Sequence, residues 1–176
     1  MKTTRKVIGC VFLTLAAICI CSQSTFAQQA KGDKELLFNG SATFTVGVEG
    51  GNSQTAQATI GLGYFATSRQ EIGGGTTLIV AHGGGASFTA VAPNAFYRYN
   101  FGKDGTKTFP YFGVEGGVFV LTGDVSSHDG YVRPNFGFKH FFKKNAAFDF
   151  NTGYSRTFGE GGMSQIDLRV GLAFIF

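Results

Sequence analysis

Between residues 36 and 176 the chain repeats one pattern eight times: apolar and polar residues alternate with period two, and glycine-rich or charged turns break each run. A period of two puts successive side chains on opposite faces, so each run is a strand with one apolar and one polar face. The first run sets Phe38, Ala42, Phe44, Val46 and Val48 against Asn39, Ser41, Thr43, Thr45 and Glu49. The last sets Ile166, Leu168, Val170, Leu172, Phe174 and Phe176 against Gln165, Asp167, Arg169 and Gly171. The runs between them carry the apolar sets Ala58–Tyr64, Ile72–Val80, Ala95–Phe101, Phe112–Val120, Val132–Phe138 and Phe148–Tyr154. Helical periodicity is absent from this region. Eight strands joined by seven short connections leave no room for a second domain, and an even number of up-and-down strands can close on itself and remove both edges.

The first residues follow a different rule. Lys2, Arg5 and Lys6 precede the apolar run "VIGCVFLTLAAICIC", and "SQSTFA" then leads to Ala27. A basic opening, a short apolar stretch and small residues at the end are the layout of a secretory signal peptide, expected to be cleaved after Ala27. The run from Val7 to Cys21 falls short of the ~20 residues of a spanning helix. Bulky Ile18 and Ile20 before Cys19 and Cys21 argue against lipid attachment there. The expected organisation is a signal peptide at 1–27, a short N-terminal segment at 28–35 and one barrel domain at 36–176.

Cleavage removes all three cysteines and three of the 15 Lys+Arg residues, leaving 12 cations against 11 Asp+Glu. The basic balance therefore belongs to the leader and gives no argument for nucleic acid. Without cysteine, the exported chain must be held by packing alone. Its 23 charges make about 15% of the remaining residues, against ~25% in a typical soluble domain.

Alternation does not say which face is outside, because a soluble lipocalin-like barrel has the same period with its apolar face inward. Three observations favour the opposite arrangement. The polar faces are crowded with glycine (61, 63, 73, 75, 113, 117, 137, 153 and 171), which suits the narrow interior of an eight-stranded barrel. Charge is too scarce for those faces to form a whole aqueous exterior. The few strand charges also match across hairpins: Glu71 and Arg98 are equidistant from Gly84–Gly85, Glu115 and Arg133 from Asp124, and Lys139 and Asp149 from Lys144. Directly opposed residues are close neighbours, and each pair has opposite sign, as buried charge requires. The expected fold is all-β, an eight-stranded antiparallel up-and-down transmembrane β-barrel with apolar faces toward lipid and a filled polar lumen.

The stretches "PNAFYRYNF" (93–101), "PYFGVEGGVF" (110–119), "FGFKHFFKKNAAFDFNTGYSRTF" (136–158) and "LRVGLAFIF" (168–176) resemble the bacterial outer-membrane eight-stranded barrel family, which includes outer membrane proteins X and W and the membrane domain of outer membrane protein A. The resemblance covers nearly all of 36–176. It implies an outer-membrane location, lipid and lipopolysaccharide as surroundings, a monomer, and a last strand read by the barrel assembly machinery, with Gly171, Phe174 and Phe176 as that signal. Strand addition to an exposed edge is the physical form such reading takes. It also implies that short connections on the short-turn rim, with Lys143, Lys144, Arg69, Lys103 and Lys107, face the periplasm.

No catalytic, cofactor or metal site is expected. "HGGG" (82–85) matches an oxyanion-hole tag but lacks the G-x-S-x-G partner it requires. "GLGYFA" (61–66) lies inside a strand and opens no helix. Some barrels of this architecture hydrolyse lipid A with a His and a Ser on the lipid-facing wall, yet His140 in "KHFFKK" has no Ser two residues on. His128 with Asp124 and Asp129 reads as a solvated loop. The expected role is structural or surface-interacting. A narrow pathway for small apolar molecules or ions is the first alternative, and lipid-modifying hydrolysis the second.

Overall fold

The computed structural model describes residues 29–46, 52–83, 86–102, 105–122, 128–159 and 164–176. The proposed leader at 1–27 lies outside them, as do the Gly84–Gly85 turn and Asp124. Eight strands follow in order: β1 (Lys34–Val46), β2 (Asn52–Phe65), β3 (Gln70–Gly83), β4 (Ala86–Asn100), β5 (Thr108–Thr122), β6 (His128–Lys143), β7 (Ala146–Phe158) and β8 (Ser164–Ile175). Each pairs antiparallel with its chain neighbour, and β1 pairs with β8 to close a barrel. β1 begins at Lys34, so Glu35 belongs to the barrel wall rather than to the N-terminal segment.

The closing seam runs from Glu35–Ile175 to Gly40–Val170, and Lys34 and Phe176 extend it with a reciprocal pair of backbone hydrogen bonds at 2.9 Å. Both ends of the described chain therefore lie on one rim, together with the β2–β3 turn, the β4–β5 loop and the Lys144–Asn145 turn. A bulge between Phe141 and Lys143 lets β6 turn into β7 within those two residues.

Three prolines sit inside strands, and two of them, lacking an N–H, interrupt a ladder. Pro93 keeps its partner Thr76 on β3, but the β4–β5 ladder skips from Val91 to Asn94. Pro134 keeps Val114 on β5, while the β6–β7 ladder skips from Val132 to Asn135. Pro93 and Pro134 thus each break pairing on one flank and leave the other intact, whereas Pro110 pairs with Phe138 on β6 and its carbonyl accepts from the Phe101 N–H.

Candidate functional site: a filled lumen

The two faces of the wall are distributed as the alternation requires. Ile166 (73% exposed), Phe176 (66%) and Leu62 (57%) point outward with Ile60, Ile72, Leu78, Phe112 and Phe136, while Glu35, Glu71, Lys139 and Asp149 are fully buried inside. Water would penalise that exterior, and a hydrocarbon solvent would not.

Four layers of side chains fill the described lumen, the last an apolar cluster of Ile79, Ala90, Ala92 and Tyr131. At the rim that carries both chain ends, Leu37, Phe65, Phe109, Phe141 and Ile175 pack with Ala147 and Ala173 into a buried apolar cluster. Phe109 and Phe141 meet edge-on at 5.5 Å. These residues point inward, so both faces of the wall are apolar at this end, and the period-two signal weakens there.

The first ionic cluster adjoins this floor, with Glu71 in register with Phe65 and Lys139 with Phe109. Lys139 Nζ donates to both Glu35 oxygens at 2.7 and 2.5 Å and to Glu71 Oε2 at 3.0 Å. The Arg98 guanidinium lies 3.4 Å from Glu35 and 3.8 Å from Glu71, and rests over the Phe96 ring at 4.5 Å. Register places Glu71 opposite Arg98 and Lys139 opposite Asp149, as the hairpin distances predict. Contact differs from register in the second case. The Lys139 ammonium reaches across the lumen to Glu35 and Glu71, and Asp149 instead accepts a 2.7 Å hydrogen bond from the Tyr111 hydroxyl.

The third layer is a second ionic cluster. Arg133 binds the Asp167 carboxylate through Nε at 3.1 and 3.0 Å and through Nη2, and Nη2 also donates to Asn151 Oδ1 at 2.8 Å. Its register partner Glu115 is 3.8 Å away and takes shorter bonds from Arg169 Nη1 (2.9 Å) and the Tyr131 hydroxyl (2.7 Å). Charges in this layer balance, two guanidinium groups against two carboxylates. Between the two clusters remains a cavity of about 10 Å³ lined by Asn39, Thr59, Asn94, Glu115 and both Arg133 and Arg169, room for about one water.

Inward glycines make this filling possible. A methyl at Gly63 would overlap the Glu71 carboxylate, and one at Gly153 would lie 2.5 Å from Arg133 Cζ. The lumen is narrow enough that a long charged side chain on one strand needs a hydrogen on the next.

At the seam, Gly171 faces Asn39 and the Phe38 carbonyl with no room for a side chain, Phe174 meets Phe38 edge-on at 6.4 Å, and Phe176 stands outward at the rim. Glu35 was hidden from the pattern because "KELL" places charge next to two leucines and does not alternate. Two imidazole–hydroxyl pairs were missed as well. His82 Nδ1 lies 2.6 Å from Ser87 Oγ, and His140 Nδ1 lies 2.9 Å from Thr108 Oγ1. The residues on the other flank of these rings are Gln54 and Phe148, neither of which can stabilise an imidazolium by charge. Among the described residues no cluster of His, Cys, Asp and Glu could hold a metal ion. Asp124 and the His128 side chain lie outside the description.

No protein-family model and no curated protein matches the sequence. Solved structures do match. Neisserial surface protein A is 14% identical with a TM-score of 0.61, over 82% of this chain and 96% of that one. The outer membrane protein OprG from Pseudomonas aeruginosa is 12% identical with a TM-score of 0.57, over 85% and 99%. A barrel from the de novo design of transmembrane β-barrels is 13% identical with a TM-score of 0.51, also over 85% and 99%. The fold is the transmembrane eight-stranded β-barrel. A designed chain sharing it shows that the architecture by itself carries no function, so function must be argued from the lumen and the surface.

Proposed function

We propose that the protein is an integral barrel of the bacterial outer membrane with a structural or surface-interaction role and no catalysis. One observation carries the reading: among the described residues an apolar cluster and two ionic clusters fill the lumen with side chains that bind one another, and a void of about 10 Å³ lies between the ionic ones. A pore needs a continuous wet path, and here an apolar floor and two ionic clusters stand across it. The apolar exterior and the outer-membrane relatives in fold support the location. In this reading a monomer sits among phospholipid and lipopolysaccharide, and the barrel assembly machinery engages β8 through Gly171, Phe174 and Phe176.

Planar-bilayer recording tests the sealed lumen. The purified barrel should add no discrete conductance steps to the baseline, and regular steps from the unmodified chain would establish a pathway instead. Cell fractionation and an unheated gel test the location. The chain should follow outer-membrane markers and change mobility on boiling.

A further inference from the structure

We propose that the outer wall holds a specific site for one anionic phospholipid, seated across β2, β3 and β4 with its phosphate at Lys34. The inference rests on the membrane reading above.

An open groove of about 700 Å³ runs down this part of the exterior from the short-turn rim, within the ~300–1,000 Å³ of small-molecule sites. Its floor is the backbone at Gly63 and Gly73, whose own absent side chains would point into the lumen, and it is low because the outward residue beside them, Ala95, contributes a single methyl. Leu62 and Tyr64 on β2 and Ile72 on β3 stand above that floor and are about half exposed. Gly74 is opposed by Leu62 on one flank and Ala95 on the other, so the channel continues one row deeper into the wall.

Chemistry changes at the mouth. Lys34 lines the groove, is exposed, and sits in register with Tyr64, which is in turn opposed by Ile72. A cation at the rim beside a phenol, above an apolar trough, matches a phosphate above an acyl chain. The rim as a whole has the same sign. Among the described residues it carries Lys31, Lys34, Arg69, Lys107, Lys143 and Lys144 on its turns and strand ends, against the carboxylate of Asp33. That charge favours an anionic leaflet at this level, and the groove converts general attraction into a place for one molecule. A neutral phosphocholine lipid would fill the trough equally well but would set its own cation against Lys34.

The test is native mass spectrometry of the folded barrel released from mixed micelles containing equal phosphatidylglycerol and phosphatidylcholine. A heat-modifiable band confirms folding of every variant beforehand. The unmodified barrel should retain one phosphatidylglycerol in preference to phosphatidylcholine. Lys34→Gln should reduce that preference about fivefold, the ~1 kcal/mol that one cation near a membrane surface contributes. Ala95→Leu should reduce retention of both lipids, because it fills the floor. Arg69→Gln, on the same rim but away from the groove lining, should leave the preference within twofold. Equal retention of the two lipids by the unmodified barrel would overturn the proposal. So would an Arg69→Gln effect as large as that of Lys34→Gln, since the attraction would then belong to the rim and not to a site. Failure of the membrane reading itself would look different: the chain would be a β-rich monomer in buffer before any lipid was added.

Discussion

Lys139 offers the sharpest test of how the lumen is held. Its ammonium is fully buried and shared between Glu35 and Glu71, and it lies 5.4 and 5.7 Å from the Phe65 and Tyr111 ring centres. The first cluster sets three carboxylates (Glu35, Glu71 and Asp149) against two cations (Arg98 and Lys139). Lys139→Met keeps the linear stem of the side chain and removes its terminal ammonium, leaving those carboxylates one cation, Arg98. Breaking a buried pair by deleting one partner costs about 3–5 kcal/mol, because the remaining charge stays buried without compensation. Removing the pair as a unit is often neutral. Glu35→Gln in the Lys139→Met background returns the cluster to its original charge balance, one negative in excess, and should recover most of the loss. Equilibrium unfolding in guanidinium, with the barrel refolded in detergent and followed by circular dichroism, reads both numbers; the chain has no tryptophan to serve as a fluorescent probe. A Lys139→Met variant within about 1 kcal/mol of the parent would refute the reasoning, as would a double variant no more stable than the single one.

Other perturbations probe the wall and the seam. Gly171→Ala should fold far less completely than Gly116→Ala on an unheated gel, since a methyl at 171 overlaps Asn39 and the Phe38 carbonyl, whereas at 116 it meets only the Tyr131 carbonyl oxygen at 3.6 Å. Leu78→Lys, on the exposed apolar face, should cost about 2–4 kcal/mol in lipid vesicles, the depth-dependent penalty for lysine near the bilayer midplane; no loss would mean that this face meets water. Phe176→Ala should lower the level of assembled barrel in cells more than it lowers stability after refolding in detergent. Equal losses in the two assays would make Phe176 an ordinary rim residue.

Much of this was legible in the residues because a strand reports its two environments at every second position. The outward positions Ile60, Leu62, Tyr64, Ile72 and Leu78 and the inward ones Glu71, Arg98, Glu115 and Arg133 are recoverable from alternation and turn length alone. What alternation cannot carry is contact across the lumen. Register relates a residue to its two flanking strands, yet Lys139 on β6 chooses Glu35 on β1, and Asp149 on β7 chooses Tyr111 on β5. Those choices depend on side-chain length, lumen width and the space left by glycines such as Gly63. The apolar floor is hidden for a related reason. Phe65 and Phe141 face inward beside the aromatic neighbours Tyr64 and Phe142, so little contrast marks them.

The charges that fill the barrel are far apart along the chain. Lys139 and Glu35 are 104 residues apart, Arg169 and Glu115 54, and Arg133 and Asp167 34. No single hairpin contains a complete set of partners for its own buried charges. A half-built sheet would therefore carry bare carboxylates and guanidinium groups on one face, at a cost of several kcal/mol each if lipid covered them. Such an intermediate is stable only while that face remains wet. Sheet closure and entry into the bilayer must then proceed together, with the β1–β8 seam among the last elements to form, and shortened versions of the barrel made by deleting a hairpin should stall before insertion rather than yield a smaller, stable one.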